Sequence, residues 1–280
     1  MLDKFLSRFG IEFDFVDFST EKSIVSGIKK NTKYLFAETP TNPSLHVIDL
    51  NLVSRVSKKV NIPFVVDATF SPPCAIQTLS YGAGAVIHSL SKYIAGHNDV
   101  IAGAVITKNK KLHEELQFIH RTLGAILSPD ECYRILQEVK TLQLRWDRVS
   151  ETALKVAEFL DENSKIEKVF YPVLKSQKNH RIAKKQTRGG FGAVISFVLK
   201  KKDTKSLKRF VNGIIKQNLI VYGESLSSPE TILAYPPLMS HGSLPKNVRD
   251  SLGISDGFFR LSVGFEDPED IIKILKINLV

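Results

Sequence analysis

Residues 85–97 read AVIHSLSKYIAGH and carry the pattern on which the fold prediction rests. The stretch begins as a short apolar run, continues with Lys92 among small hydroxyl residues, and turns at a glycine. Two earlier apolar runs, YLFA at 34–37 and FVV at 64–66, each end in polar residues. Between them, residues 50–60 (LNLVSRVSKKV) repeat Leu and Val at helical spacing. This alternation of buried-type strands with an amphipathic helix predicts an α/β fold with a mostly parallel sheet.

The rest of the chain continues this mixture of strands and helices. The pattern predicts strands at 102–107, 193–199 and 258–263, helices at 128–160, at 206–217 and from Pro268 onward, and a loop at 225–237. Because the long helical pattern can bridge two units, we divide the chain into residues 1–139 and 140–280. We expect the first part to belong to a larger domain, and the second to form a smaller α/β domain.

The 280-residue chain has a formal net charge of +10, from 39 basic and 29 acidic residues. Such an excess is typical of some nucleic-acid-binding proteins, but here the lysines lie in short scattered groups without interleaved aromatic residues. We therefore interpret them as a solvated surface and expect no nucleic-acid partner.

Cys74 and Cys132 are the only cysteines, and they lack CxxC spacing, which argues against a disulfide framework or a zinc cluster. We expect no bound metal. No segment reaches the apolar length of a membrane-spanning helix, and the first ten residues (MLDKFLSRFG) lack the apolar core of a secretory signal. The sequence therefore predicts a cytoplasmic protein without a membrane partner.

Polar residues follow the predicted parallel strands at their carboxyl ends, where the sites of such sheets lie. Asn42, Asp67 and residues 89–92 (SLSK) all fall there. A lysine amine becomes a nucleophile when burial or nearby positive charge disfavours its ammonium form. Hydroxyls at Ser89 and Ser91 suit a phosphate, and a carboxylate such as Asp67 suits a protonated ring nitrogen. Pyridoxal 5'-phosphate (PLP) carries an aldehyde, a phosphate and such a ring, although each residue taken alone is more often a structural cap or turn.

Five longer motifs, in order along the chain, resemble one known family. They are ETPTNP at 38–43, VVDATF at 65–70, GAGAVIHSLSKYIAGHNDVIAG at 82–103, SLSSPETILAYPPLMSH at 225–241 and GISDGFFRLSVGFED at 253–267. Together they resemble the Cys/Met-metabolism family of PLP-dependent enzymes, which includes cystathionine γ-synthase, cystathionine lyases and methionine γ-lyase. The resemblance implies a fold of the aspartate aminotransferase type.

The resemblance also implies roles for individual residues. Toward the cofactor, Lys92 would bond to the aldehyde and then move protons, and Asp67 would pair with the ring nitrogen. The phosphate would be bound by Ser89 and Ser91. Asn42 would lie near the ring hydroxyl and the substrate carboxylate, and Arg260, assisted by Ser225, would hold that carboxylate. Guanidinium suits this last role because its planar fork matches a carboxylate at two points. The implied reaction makes or breaks a bond between sulfur and Cβ or Cγ of an amino acid, as in transsulfuration and methionine biosynthesis.

The resemblance does not start at the beginning of the family's cofactor domain, because residues 1–36 already resemble the middle of that domain. A stretch on the order of a hundred residues would then be absent. We therefore expect either an active enzyme, completed by a homo-oligomeric neighbour or a separate N-terminal chain, or a catalytically silent homologue that serves as a structural or interaction subunit. An incomplete sheet has an unpaired edge, which favours a partner chain.

Overall fold

The computed structural model describes residues 5–279 and is an α/β structure with two sheets. The longer helices are α1 (Glu21–Ser26), α2 (Leu50–Val60), α3 (Lys110–Leu123), α4 (Pro129–Glu138), α5 (Leu142–Glu162), α6 (His180–Gln186), α7 (Thr204–Ile215), α8 (Lys246–Ser251) and α9 (Pro268–Asn278). The strands are β1 (Leu35–Glu38), β2 (Phe64–Asp67), β3 (Ala85–Ser89), β4 (Gly103–Ile106), β5 (Ile166–Phe170), β6 (Val194–Leu199), β7 (Val221–Tyr222), β8 (Ile232–Ala234) and β9 (Phe258–Ser262).

The first sheet has the order β1-β2-β3-β4, and its first three strands are parallel, as the sequence predicts. Alternate residues of β1 and β2 are buried, and α2 covers them with Leu50, Val53 and Val56. Helix α2 has the predicted bounds because Asp49 caps its first turn and Asn61, in a left-handed conformation, ends it. The fourth strand, β4, runs antiparallel to β3.

The second sheet has the order β5-β6-β9-β8-β7, and all its pairs except β7-β8 are antiparallel. The predicted mostly parallel sheet is therefore confirmed in the first sheet, and the part of the chain predicted as a smaller mixture of strands and helices contains a mostly antiparallel sheet. All residues of β6 and β9 are buried. Phe197, Phe210 and Phe259 form a contiguous aromatic cluster there, which accounts for the continuous apolar runs of both strands.

Some predicted bounds are wrong for identifiable reasons. The predicted loop at 225–237 contains β8, a strand of only three residues, Ile232–Ala234. The predicted helix at 128–160 is two helices, because residues 139–141 form a short 3₁₀ turn between α4 and α5. Helix α3 and strand β5 carry many charged residues and were not predicted.

A single buried cluster includes apolar residues from both sheets. The division at residues 139 and 140 therefore stays a prediction, and its outermost residues, 1–4 and 280, lie outside the described part of the chain. Among the described residues, no helix combines the length and apolarity needed to span a membrane.

Helices α3 and α4 have no buried residue, although both carry apolar side chains. We call this surface the α3–α4 face; its exposed apolar residues are Phe118, Ile119, Leu123, Ile126, Tyr133 and Leu136. Phe118 is 71% exposed and Leu123 is 75% exposed. The neighbouring edge strand β4 also exposes Val105 and Ile106. Several exposed large apolar residues on two consecutive helices are typical of an interaction surface.

Candidate active site

The carboxyl ends of three neighbouring strands converge at one edge of the first sheet. Glu38 ends β1, Asp67 ends β2 and Ser89 ends β3. Glu38 lies directly beside Asp67 in the parallel register, and Asp67 lies beside Ile87 of β3. The structure thus brings the predicted strand-end residues to the same edge.

Asp67 is tied to the start of the lysine segment through one intervening residue. Its Oδ1 accepts a hydrogen bond from the Thr69 backbone N–H at 2.9 Å, and the Thr69 hydroxyl oxygen accepts one from the Ser89 N–H at 2.9 Å. Thr69 was not among the predicted site residues. An Asp side chain often accepts a hydrogen bond from the backbone N–H two residues later, and this local pattern could have indicated Thr69.

Lys92 lies in a one-turn π-helix, Leu90–Ile94, that directly follows β3. Its amine is half-buried and donates a hydrogen bond to the Ser225 hydroxyl at 3.3 Å. Burial, and secondarily the positive charge of Arg260, lowers the pKa of the Lys92 amine. The amine is therefore shifted toward its neutral, nucleophilic form.

Ser225 is oriented from a second direction by a residue that sequence reasoning missed. The Ser225 hydroxyl donates to the Asn98 side-chain oxygen at 2.6 Å. With its own proton directed at Asn98, the hydroxyl oxygen is free to accept from Lys92. Asn98 has a φ of 56°, a left-handed conformation that Asn tolerates better than most residues.

Ser91 holds the lysine segment against the chain that leads into β4. Its hydroxyl oxygen accepts a hydrogen bond from the Ala102 N–H at 2.9 Å. Ser89 ends β3, and Ser91 lies in the π turn directly before Lys92. Their role in phosphate binding stays a prediction.

Arg260 comes from β9 in the second sheet and reaches the same site. It is only 2% exposed. Its guanidinium donates to the Asn42 side-chain oxygen at 3.0 Å, to the Ser225 carbonyl at 3.3 Å and to the Glu224 carbonyl. Burial lowers its pKa to about 10, so the group remains charged at neutral pH. The structure thus brings Lys92, Ser225, Arg260 and Asn42 into one hydrogen-bonded network.

Glu38 lies beside Asp67 and hydrogen-bonds to Asn42 of this network. It was also missed as a site residue. Its carboxylate accepts a hydrogen bond from the Asn42 backbone N–H at 3.1 Å. Burial, and secondarily the negative charge of Asp67, raises the pKa of Glu38 to about 7. The ETPTNP motif contains both Glu38 and Asn42, but the sequence did not show that they share a hydrogen bond.

We expect the raised pKa of Glu38 to make stability depend on pH. The folded protein holds this proton up to about pH 7, whereas the unfolded chain loses it near 4.5. Stability therefore falls as pH rises between those values, by an amount on the order of 2–3 kcal/mol. In Glu38→Gln the side chain keeps an acceptor for the Asn42 N–H and has no proton to lose. Its free energy of unfolding, measured in urea, should rise relative to wild type across that range.

The matched control for this prediction is Glu158→Gln, at an exposed position on α5. It should follow the wild-type dependence of stability on pH. A Glu38→Gln variant whose difference from wild type is the same at pH 4.5 and pH 7.5 would contradict the prediction.

Comparisons with known proteins agree with the geometry. Residues 1–280 match the family described as Cys/Met metabolism PLP-dependent enzyme. The chain is 38% identical to a cystathionine gamma-lyase of Bacillus subtilis over 273 residues, covering 98% of this chain and 70% of the relative. It is 40% identical to a cystathionine beta-lyase of Lactococcus lactis subsp. cremoris over 276 residues, covering 99% of this chain and 71% of the relative.

The solved structures include a cystathionine gamma synthase from Xanthomonas oryzae pv. oryzae in complex with cystathionine. It superimposes with a TM-score of 0.93 at 34% sequence identity, over 99% of this chain and 71% of that one. The predicted α/β fold of this enzyme class is therefore confirmed. The chain belongs to the Cys/Met metabolism PLP-dependent enzyme family, and it is an enzyme whose cofactor is pyridoxal 5'-phosphate.

Proposed function

We propose that the chain makes or breaks the bond between sulfur and Cβ or Cγ of an amino acid, with cystathionine as the representative substrate. The observation that carries the proposal is the network around Ser225. Its hydroxyl accepts from the half-buried Lys92 amine, and its carbonyl accepts from the buried guanidinium of Arg260. One side of the site thus offers a base, and the other a binding group for a carboxylate. The relatives that act on cystathionine support this substrate class.

The residues at the strand ends fit the cofactor. We assign Lys92 to the aldehyde, Asp67 to the ring nitrogen, Ser89 and Ser91 to the phosphate, and Asn42 to the ring hydroxyl. The chemistry of these groups supports the fit. The Lys92 amine is half-buried with a lowered pKa, and the Asp67 carboxylate is connected through Thr69 to the Ser89 N–H at the neighbouring strand end.

When bound, pyridoxal 5'-phosphate supplies an electron sink for the substrate carbon from which a proton is removed. The protein residues have the remaining tasks. Arg260 binds the α-carboxylate of the substrate as a charged fork, and Asn42 orients that fork. The Lys92 amine removes the Cα proton and, for a leaving group at Cγ, also moves a proton at Cβ. Ser225 holds the amine on the side of the site where Arg260 fixes the carboxylate.

The test is turnover of L-cystathionine by the purified chain with added cofactor. With uptake of water, cleavage at Cγ releases cysteine, 2-oxobutyrate and ammonia, and cleavage at Cβ releases homocysteine, pyruvate and ammonia, so the products identify the bond. The synthetic direction is assayed with cysteine and an activated homoserine ester. Either outcome supports the proposal. If the protein develops no visible absorbance in excess cofactor and turns over none of these substrates, the catalytically silent alternative replaces it.

We further propose that the enzyme works in the cytoplasm as a homo-oligomer in which a second copy covers the α3–α4 face. Cys74 and Cys132 are unpaired, as in a reducing compartment. The face begins with α3, which follows the edge strand β4 along the chain, and an edge strand can accept a further strand. A separate N-terminal chain is the competing occupant.

We expect the α3–α4 face to control assembly. Replacing Phe118 and Leu123 by glutamate places charges on its most exposed apolar positions, which should shift the protein to its monomer mass of 31.4 kDa in light scattering. The control is Ile277→Glu on α9, which is 62% exposed and far from the face in sequence. A wild-type protein that is monomeric at all concentrations would contradict the homo-oligomer. A different chain would then be the expected partner of the α3–α4 face.

A further inference from the structure

The backbone around Lys92 departs from regular helix geometry. Within the π turn, Lys92 has φ −95° and ψ −130°, which is not helical. Such a conformation persists only where surrounding contacts hold it. Two backbone hydrogen bonds close the turn, from Ala95 N–H to the Leu90 carbonyl at 2.9 Å and from Gly96 N–H to the Lys92 carbonyl at 2.7 Å.

The next two carbonyls of the turn are held by a residue from α5. Arg145 donates from Nη1 to the Tyr93 carbonyl at 2.7 Å and from Nη2 to the Ile94 carbonyl at 2.9 Å. The remaining bonds of the same guanidinium go to the Glu138 carbonyl at 2.9 Å and to the Thr141 hydroxyl at 3.1 Å. Arg145 thus joins the lysine turn to the start of α5 through a rigid planar group.

A glycine leaves the space that this guanidinium occupies. Gly96 has φ +80°, and a Cβ built on it would lie 1.9 Å from Nη1 of Arg145. Any side chain there would displace the guanidinium. The following helix also holds the turn through Trp146, whose ring packs edge-on against Tyr93 with centroids 5.0 Å apart.

We propose that Arg145 is a positioning residue for Lys92. By binding the carbonyls directly after the lysine, it fixes the turn so that the amine points to Ser225 and to the cofactor aldehyde. Gly96 contributes to the same arrangement because it has no side chain that would occupy the position of the guanidinium. The inference rests on the proposed role of Lys92 toward the cofactor, and it does not depend on which carbon–sulfur bond is made or broken.

The test compares Arg145→Met, Arg145→Lys and Gly96→Ala with wild type. The matched control is Arg148→Met on the same helix, since Arg148 donates to two backbone carbonyls, Phe265 and Glu266, that lie outside the lysine turn. The first readout is the dissociation constant of pyridoxal 5'-phosphate. The second is the pH midpoint of the visible absorbance band. The third is the fraction of Lys92 peptide that carries the cofactor after borohydride reduction, determined by mass spectrometry.

We expect Arg145→Met and Gly96→Ala to weaken cofactor binding roughly 10- to 100-fold and to shift the pH midpoint, because each change removes or displaces the charge-assisted hydrogen bonds that hold the turn. Arg145→Lys restores the charge without the fork and should recover only part of the loss. Arg148→Met should keep wild-type values even where its melting temperature falls. If Arg145→Met does not fold, Arg145→Lys and Gly96→Ala carry the test.

The outcomes separate this inference from the proposed function. Wild-type values in all three variants would overturn the role of Arg145 while Lys92 keeps its own. A wild-type protein that binds the cofactor but makes no product from any sulfur amino acid would overturn the proposed reaction only. A wild-type protein that does not attach the cofactor to Lys92 would overturn both.

Discussion

Replacing Lys92 by alanine is expected to lower kcat/KM by about 1,000-fold or more. The substitution removes the amine that we assign both to the cofactor aldehyde and to proton transfer. Proton transfer by a positioned side chain alone contributes roughly 100- to 10,000-fold. Turnover of cystathionine by wild type and variant at the same cofactor concentration measures the loss, and the visible absorbance band of the lysine–cofactor bond should disappear with it.

The fold should tolerate this substitution. The pKa of Lys92 is lowered mainly by burial, which means that the folded structure disfavours the ammonium form. In the absence of cofactor, Lys92→Ala should therefore keep or raise the wild-type melting temperature. Lys155→Ala, at an exposed lysine of α5, is the control and should retain full activity. An alanine variant that keeps both the absorbance band and turnover would show that another amine attaches the cofactor.

Replacing Arg260 by lysine is the second substitution expected to have a large effect. Lysine retains a positive charge but cannot reproduce the planar fork that contacts Asn42, Glu224 and Ser225. A hydrogen bond to a charged group contributes about 1.5–3 kcal/mol. Loss of two such bonds to a substrate carboxylate should lower kcat/KM by roughly 100-fold or more.

The kinetic signature of Arg260→Lys should be a raised KM with the cofactor absorbance band unchanged, because the arginine is assigned to the substrate and not to the cofactor. Amino acids and their decarboxylated analogues separate the two roles, since the analogue has no carboxylate and should lose little. Arg209→Lys, at an exposed position on α7, is the control. An Arg260→Lys variant with an unchanged KM would show that a different residue binds the substrate carboxylate.

Much of the first sheet could be predicted from the sequence because short apolar runs alternate with one strongly amphipathic helix. The bounds of α2 follow from two capping residues in the sequence, an Asp before the first turn and an Asn after the last. Strand β8 could not be predicted in this way. Only Ile232–Ala234 are in the strand, and periodicity over three residues carries no signal.

The site divides along similar lines. Asp67 and the lysine segment could be placed together because the ends of neighbouring parallel strands meet at one edge. Arg260 could not, since its contact with Asn42 spans 218 positions of sequence and depends on how β9 packs against the first half. Its assignment came from the resemblance of the GISDGFFRLSVGFED motif. Asn98 and Glu38 were missed because their contacts depend on the folded backbone, whereas the local turn at Asp67 could have indicated Thr69.

The contact between Arg260 and Asn42 has a consequence for a chain that is still being synthesised. The residues assigned to the cofactor, 42 to 92, emerge from the ribosome well before Arg260 does. The Lys92 amine hydrogen-bonds to Ser225, and its pKa is lowered partly by Arg260, so its reactive environment also waits for the second half of the chain. The site is thus completed in one late step, when the strand that bears the arginine packs against residues made long before.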